Sequence, residues 1–339
     1  MATESRGPDH IDRQILHALH LSPRAPFARV AAVIGVSEQT VARRYQRMRG
    51  TGILRVLARP DPVKMPGTTH WTLRIGCRPG TAPALADALA RRGDTAWISI
   101  GAGGAEITCS AVVAAGQGGL LHHLPRASNV LTFSAHQILH RFAGRGEVDW
   151  VATGHELDAG QQAALTEGTT VVMGHVAALD SDARVEPADQ PLLDALARDG
   201  RASWASLAEA TGWTQRQVAQ RVAALTGSGA ILFDLDVADA AIGILASANL
   251  WFTIAPAHLA EVGARLADHH QLSFAAAVTG SANLMAAARC RDAAALYRYL
   301  TTEVAAIDGI HSVETVPQLT RVKQAHFLIE NGMVRDPYA

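Results

Sequence analysis

The residues of this chain best suited to chemistry lie on one short stretch, "VSEQTVARRYQRM" (36–48). Val41, Tyr45 and Met48 are spaced to form one apolar stripe of a helix. That leaves Gln39, Thr40, Arg43, Arg44 and Arg47 to face outward, with Ser37 as the N-cap. Arginine can bond a guanine edge through two donors or clamp a phosphate, and glutamine and threonine can read bases or fix register, so the face suits duplex DNA. An arginine-rich helix face can equally be a solvated surface. The local charge favours the first meaning: residues 1–60 hold ten arginines and four acidic side chains, although the whole chain carries a formal net charge of −1. A basic concentration of that kind supplies the salt-dependent share of DNA affinity.

The elements that must position this face emerge from an internal repeat. At one constant shift of 177 positions, "DRQILHAL" (12–19) falls on "DQPLLDAL" (189–196), and "APFARVAAVIGVSEQTVARR" (25–44) falls on "ASWASLAEATGWTQRQVAQR" (202–221). The apolar positions of two successive helices and the turn glycine, Gly35 on Gly212, are kept without a gap. Ile11, Ile15, Leu16 and Leu19 mark a first helix with Asp9 as a plausible cap, "FARVAAVIG" a second, and the arginine-bearing segment a third. Three helices with a tight glycine turn before the last describe a helix-turn-helix unit, and "GILRVLARPD" predicts a short wing strand after it. In the second copy the outward residues are Thr214, Gln215, Arg216, Gln217, Gln220 and Arg221, in surroundings of balanced charge, so this head should hold phosphate more weakly.

The second part of each copy alternates periods. "HWTLRIGC", "TAWISIGAG", "AEITCSAVV" and "NVLTFSAHQILH" read as strands, with "APALADALARRG" and "LLHHL" as helices, which gives β-α-β-β-α-β. The same order returns from "NLWFTIAP" to "HSVETVPQLTRVK". Residues 143–187 break every pattern and read as a linker, with short helical fragments such as "LDAGQQAAL".

This order, with "D-x-x-I-L-x-A-L", "G-V-S-E-Q-T-V-A-R-R" and "G-I-L" spaced as here, resembles the Lrp/AsnC family of bacterial and archaeal transcription regulators, and the duplication resembles its double-length members. The resemblance implies an α+β chain: two copies of a winged helix-turn-helix domain, each followed by a ferredoxin-like βαββαβ (RAM/Lrp-type ligand-binding) domain. The expected segments are head one at 1–62, the first αβ domain at 66–142, the linker at 143–187, head two at 188–237, the second αβ domain at 246–325 and a tail at 326–339. It further implies DNA reading by the third helix of each head, sensing of an amino acid or related metabolite by the αβ domains, and assembly into homo-oligomers. In the family a Gly-x-x-Asp turn lies near the effector pocket. Here the matching positions are Gly103 with Glu106 and Gly280 with Asn283. Neither keeps the aspartate, so the ligand differs or sensing is lost; a plain hairpin turn also explains the glycines.

Catalysis has few footholds in the sequence. No G-x-S-x-G, H-E-x-x-H or P-loop pattern occurs, and "GAGGAEIT" lacks the third glycine of a dinucleotide loop. His122 and His123 are adjacent and point apart on a helix, while His136 and His140 fall in a strand, where even spacing puts both on one face. The expectation is therefore a protein that is not an enzyme, with no catalytic residue, metal or cofactor. One alternative stays open, because certain tetrapyrrole (sirohaem-type) decarboxylases share the Lrp-like architecture: Arg126, His136 and Arg289 would then bind carboxylates. The three cysteines, Cys77, Cys109 and Cys290, are distant from one another and read as free thiols. "MATESRGPDH" lacks an apolar leader, and the longest apolar run, Ala240–Ala257, is too broken to span a bilayer, so a cytoplasmic protein without membrane contact is expected.

Overall fold

A computed structural model describes residues 7–61, 64–114, 116, 119–144, 157–167 and 182–335. In chain order, head one comprises α1 (His10–Leu21), α2 (Phe27–Ile34), α3 (Glu38–Thr51) and β1 (Leu54–Pro60). The first αβ half comprises β2 (Thr68–Cys77), α4 (Ala82–Ala90), β3 (Thr95–Gly101), β4 (Glu106–Ala114), α5 (Gly119–His123) and β5 (Val130–Ala143). After α6 (Ala159–Thr166) come α7 (Gln190–Arg198), α8 (Trp204–Thr211), α9 (Gln215–Gly227) and β6 (Ile231–Val237) of head two. The second αβ half follows as β7 (Ala246–Ile254), α10 (Leu259–Ala267), β8 (Leu272–Val278), β9 (Leu284–Cys290), α11 (Ala293–Tyr299) and β10 (Ile310–Lys323), and a hairpin, β11 (Leu328–Glu330) and β12 (Met333–Arg335), ends the described chain. Neither copy of the repeat stays together. Both heads form one unit, Met1–Met65 with Val151–Ile242, and both αβ halves form another, Pro66–Trp150 with Gly243–Ala339.

In the head unit, local chemistry sets the helix ends. The Asp9 carboxylate accepts the Asp12 N–H at 3.0 Å while Asp12 accepts that of Asp9 at 3.1 Å, a reciprocal cap that starts α1. Gly35, at φ 74°, turns the chain out of α2 into the left-handed region. Ile15, Leu16, Leu19, Val30, Val41 and Met48 close the core of head one, and Leu192, Leu196, Leu207, Val218 and Leu225 that of head two.

Two sequence expectations change here. The wing strand of each head has its partner in the other: β1 and β6 run antiparallel along their whole length, with Leu57 opposite Asp234, positions related by the repeat's own shift. Nor is 143–187 merely a connection. Ala143 ends β5, α6 packs on head one with Leu165 buried and Gln161 Nε2 donating to the Val33 carbonyl at 2.9 Å, and Ala183 and Val185 pack on the core of head two.

In the αβ unit the strand orders are β3-β4-β2-β5 and β8-β9-β7-β10, the split βαβ arrangement in each half. The last strand of each half is long enough to pair twice. Residues 130–137 of β5 lie beside β2, and its remainder crosses to β8 of the other half. Equally, β10 lies beside β7 and then crosses to β3, so the pairings close into a ring. One sheet face buries Leu73, Ile75, Ile98 and Ile107 under α4 and α5; the corresponding face of the other half buries Leu250, Phe252 and Leu284 under α10 and α11. The opposite faces meet between the halves, where Ile138, Trp251, Ala276, Val278, Met285 and Val316 cluster. Among the described residues no helix is long and apolar enough to cross a membrane.

Candidate functional site

The third helices are built as the sequence predicts, but their arginines divide. Ser37 Oγ accepts the Thr40 N–H at 3.2 Å and shares a hydrogen bond with Thr40 Oγ1, which fixes the start of α3. Val41, Tyr45 and Met48 are buried, while Gln39 and Arg43 are exposed. Arg44 turns inward: its Nη1 donates to both carboxylate oxygens of Asp9, at 2.8 and 2.7 Å, and to Asp12 Oδ1 at 2.9 Å. Arg47 pairs with the other oxygen of Asp12, a carboxylate that is 1% exposed. The two hydrogen-bonded carboxylates hold the Arg44 pKa above its ordinary value, and Arg44 in turn keeps Asp9 below the usual carboxylate range despite the opposing push of burial.

Head two repeats the device at the same shift. Arg221 donates through Nε and Nη2 to the two oxygens of buried Asp189, both at 2.7 Å. Thr214 and Gln217 form a reciprocal cap at the start of α9, so the Gln217 amide oxygen is occupied by the Thr214 N–H at 2.9 Å. Gln215, Arg216 and Gln220 remain exposed. Of the twelve side chains expected to face DNA, Arg44 and Arg221 are corrected to partly buried fasteners of a buried aspartate, Arg47 to a half-exposed fastener, and Ser37, Thr214 and Gln217 are occupied as caps. A buried aspartate on the first helix needs a cation, and the third helix passes within reach. That requirement, invisible in helical periodicity alone, claims those arginines.

A pair of arginines the sequence reading passed over joins the heads. Arg24 donates to the Gly200 carbonyl and, at 2.9 Å, to that of Ala202, with its guanidinium 4.2 Å from the Trp204 ring centre. Arg201 mirrors it, donating to the carbonyls of Pro23 and Ala25 at 2.6 and 2.8 Å and lying 4.4 Å from the Phe27 ring. Each arginine thus serves the other copy. Burial, with Arg201 nearby, pushes the Arg24 pKa down to about 10, which still leaves it charged at neutral pH. Gly200 is needed in this contact, because a Cβ there would lie 2.8 Å from the backbone of Leu57. The signal was available: residues 24 and 201 are both arginine at the constant shift, and positions 27 and 204 are both aromatic.

In the αβ unit the expected effector positions are brought to the junction of the halves. Glu106, after the Gly103 turn, receives Arg74 Nε and Nη2 at 3.0 and 2.8 Å. The same guanidinium donates to Glu314 of the other half at 2.8 and 2.7 Å and lies 5.0 Å from the Trp251 ring. Two carboxylates around one cation raise the Arg74 pKa, and Arg74 draws that of Glu314 down. The Gly280 turn meets His136: a Cβ on Gly280 would lie 2.6 Å from the ring, whose Nδ1 is 2.6 Å from the Thr279 carbonyl oxygen and whose Nε2 is 3.2 Å from Ser134 Oγ. His136 also packs 4.9 Å from Trp251, so this indole links the two turns. Its Nε1 is buried without a hydrogen-bond partner among the described residues. Asn283 is not free for a ligand. Its Oδ1 accepts the Ile254 N–H at 2.9 Å and its Nδ2 donates to the Ile254 carbonyl at 2.8 Å, fastening the turn to β7.

The remaining histidine and arginine candidates scatter. A register shift between Ile138 and His140 separates His136, buried, from His140, exposed, so the common face expected of them is lost. Arg126 is exposed on the turn after α5 and Arg289 is buried on β9. Arg74, Trp251 and Glu314 were missed by sequence reasoning, although an arginine in the middle of an otherwise uncharged strand, "WTLRIGC", was the available clue.

Comparison with known proteins agrees with this layout. The AsnC-type helix-turn-helix domain matches residues 9–49 and again 188–226, and the Lrp/AsnC ligand binding domain matches residues 247–326. No curated protein matches the chain. Among solved structures, siroheme decarboxylase NirDL in complex with an iron-uroporphyrin III analogue aligns over 94% of this chain and 93% of its own, with a TM-score of 0.58 and 11% identity. A second structure of siroheme decarboxylase NirDL gives 0.54 and 12% over the same shares. E. coli AsnC aligns over 41% of this chain and 94% of its own at 24% identity, with a TM-score of 0.37. The expectation of a protein that is not an enzyme is corrected by these alignments: two solved structures that share the architecture from end to end are those of an enzyme.

Proposed function

We propose that this chain, with AsnC-type heads at two positions and an Lrp/AsnC ligand-binding domain, binds duplex DNA through the paired heads and regulates transcription in response to a small metabolite taken up by the αβ unit. The observation that supports it best is what stays outside once internal ion pairs are removed. Gln39 and Arg43 on α3, and Arg216 and Gln220 on α9, remain exposed on the first two turns of securely capped helices, the part of a recognition helix that enters the major groove. A metabolite bearing a carboxylate would compete with Glu314, the more exposed partner, for Arg74. Gel shifts on the DNA upstream of its own reading frame, across a salt series, test the DNA half. Failure to shift any duplex at low salt would sink it. Thermal-shift screening against amino acids and their catabolites tests the metabolite half, since a ligand that binds only the folded chain raises the melting temperature.

A second reading, decarboxylation of a tetrapyrrole in the αβ unit, is favoured by the end-to-end likeness to siroheme decarboxylase NirDL and by the cluster of Arg74, His136 and the unsatisfied Trp251 N–H at the junction of the halves. Arg74 would hold a substrate carboxylate and His136 would handle the proton that replaces the departing CO2. Incubation with sirohaem followed by absorbance spectroscopy tests it, and an unchanged spectrum with a His136-independent baseline counts against it.

A further inference from the structure

The heads are joined by an approximate two-fold, since β1 and β6 pair with Leu57 opposite Asp234 and the Arg24 and Arg201 contacts are reciprocal. Two identical heads so arranged would read a palindrome. These heads differ in an ordered way. In α3, which begins at Glu38, the second and sixth residues are Gln39 and Arg43; in α9, which begins at Gln215, they are Arg216 and Gln220. Residues four apart share one helix face, and all four side chains are exposed. Arginine and glutamine have therefore changed places between equivalent positions of the two reading faces. Arginine pairs bidentately with guanine, through O6 and N7, and glutamine with adenine, through N6 and N7.

We propose, on the premise that the heads bind DNA as argued above, that the operator of this chain has two half-sites in which guanine and adenine exchange places. Head one calls for adenine at the base facing the second helix residue and guanine at the base facing the sixth. Head two calls for the reverse order. The other arginines of these helices are engaged inside the heads, Arg44 and the half-exposed Arg47 by Asp12 and Arg221 by Asp189, which leaves Arg43 and Arg216, among the described residues, as the unpaired arginines of the first two turns.

The test is selection of bound duplexes from a randomised library by the full-length protein, with sequencing of the recovered pool. The expected result is a pair of unlike half-sites in which one guanine and one adenine trade positions. The double variant Gln39→Arg with Arg43→Gln, both on the exposed surface, should then convert the selected site to matching half-sites and weaken binding to the original by roughly ten- to a hundredfold. Selection of a palindrome by the unaltered protein, or an unchanged preference in the double variant, overturns the proposal while leaving DNA binding intact. Equal weakening on every sequence would show Arg43 acting on phosphate alone and overturns it too. Absence of any enriched duplex overturns it together with the DNA-binding reading.

Discussion

Arg43 and Arg44 are neighbours in sequence with opposite duties, and the contrast is measurable. Arg43→Ala should cost about 1–3 kcal/mol of DNA affinity and relax the choice of base at its position in the half-site while leaving the melting temperature unchanged, as loss of one base contact requires. Arg221→Ala, which corresponds to Arg44 in head two, should instead cost about 3 kcal/mol in denaturant unfolding, because Asp189 stays buried with its charge uncompensated. The same carboxylates set a pH dependence. Burial pushes the Asp189 pKa up, but the hydrogen bonds from Arg221 and from the Glu186 N–H outweigh it, so the folded value lies below the ordinary 3.8. Asp9 and Glu314 are shifted in the same direction. The unfolded chain therefore binds protons first as pH falls. The stability these groups confer is complete above their ordinary values and drains away as pH drops through the folded ones, so melting temperature should be flat near neutrality and fall below pH ~4. At this scale the sequence disclosed which residues lie outside and which inside only where periodicity decides it, as for exposed Gln39 and buried Val41. It could not disclose Asp12–Arg44, whose reason is a tertiary charge.

Among the elements, the capped helices were legible because their signals are local: Asp9 with Asp12, Ser37, and Gly35 after α2 all act within four residues. The order of strands in both αβ halves was legible for the same reason. Pairing across copies was not, since β1 reads as a strand whichever partner it finds. The terminal hairpin was a missed opportunity. Asn331-Gly332, with both residues at positive φ, is the two-residue turn that alternating flanks should have announced, yet residues 326–339 read as a tail. The β1–β6 ribbon makes its own prediction. Gly200 sits so close to the Leu57 backbone that Gly200→Ala must push the heads apart, at a cost of about 2 kcal/mol, and should loosen the spacing of the reading helices. Thermal unfolding would report the first effect. A narrower tolerance for altered half-site spacing in the unaltered protein than in the variant would report the second.

For the molecule as a whole, each unit draws on both copies: β5 ends against β8, β10 ends against β3, and β1 lies on β6. Fragments 1–167 and 182–339, produced together, should therefore purify as a one-to-one complex. Either fragment alone should aggregate or self-pair, because its long last strand presents unpaired backbone. Two stable monomeric fragments in sedimentation would contradict the observed interleaving. The reciprocal arginine contact carries a further consequence for how such a chain changes over time. Where two separate subunits meet on a true axis, every replacement arrives in duplicate and must suit both sides at once. Here Pro23 faces Arg201 while Gly200 faces Arg24, so a mutation lands on one side of the seam only, and its damage or benefit is felt once. Covalent linkage of the halves thus frees each to drift toward its own specialty, with the opposite half acting as a fixed template against which the drift is judged.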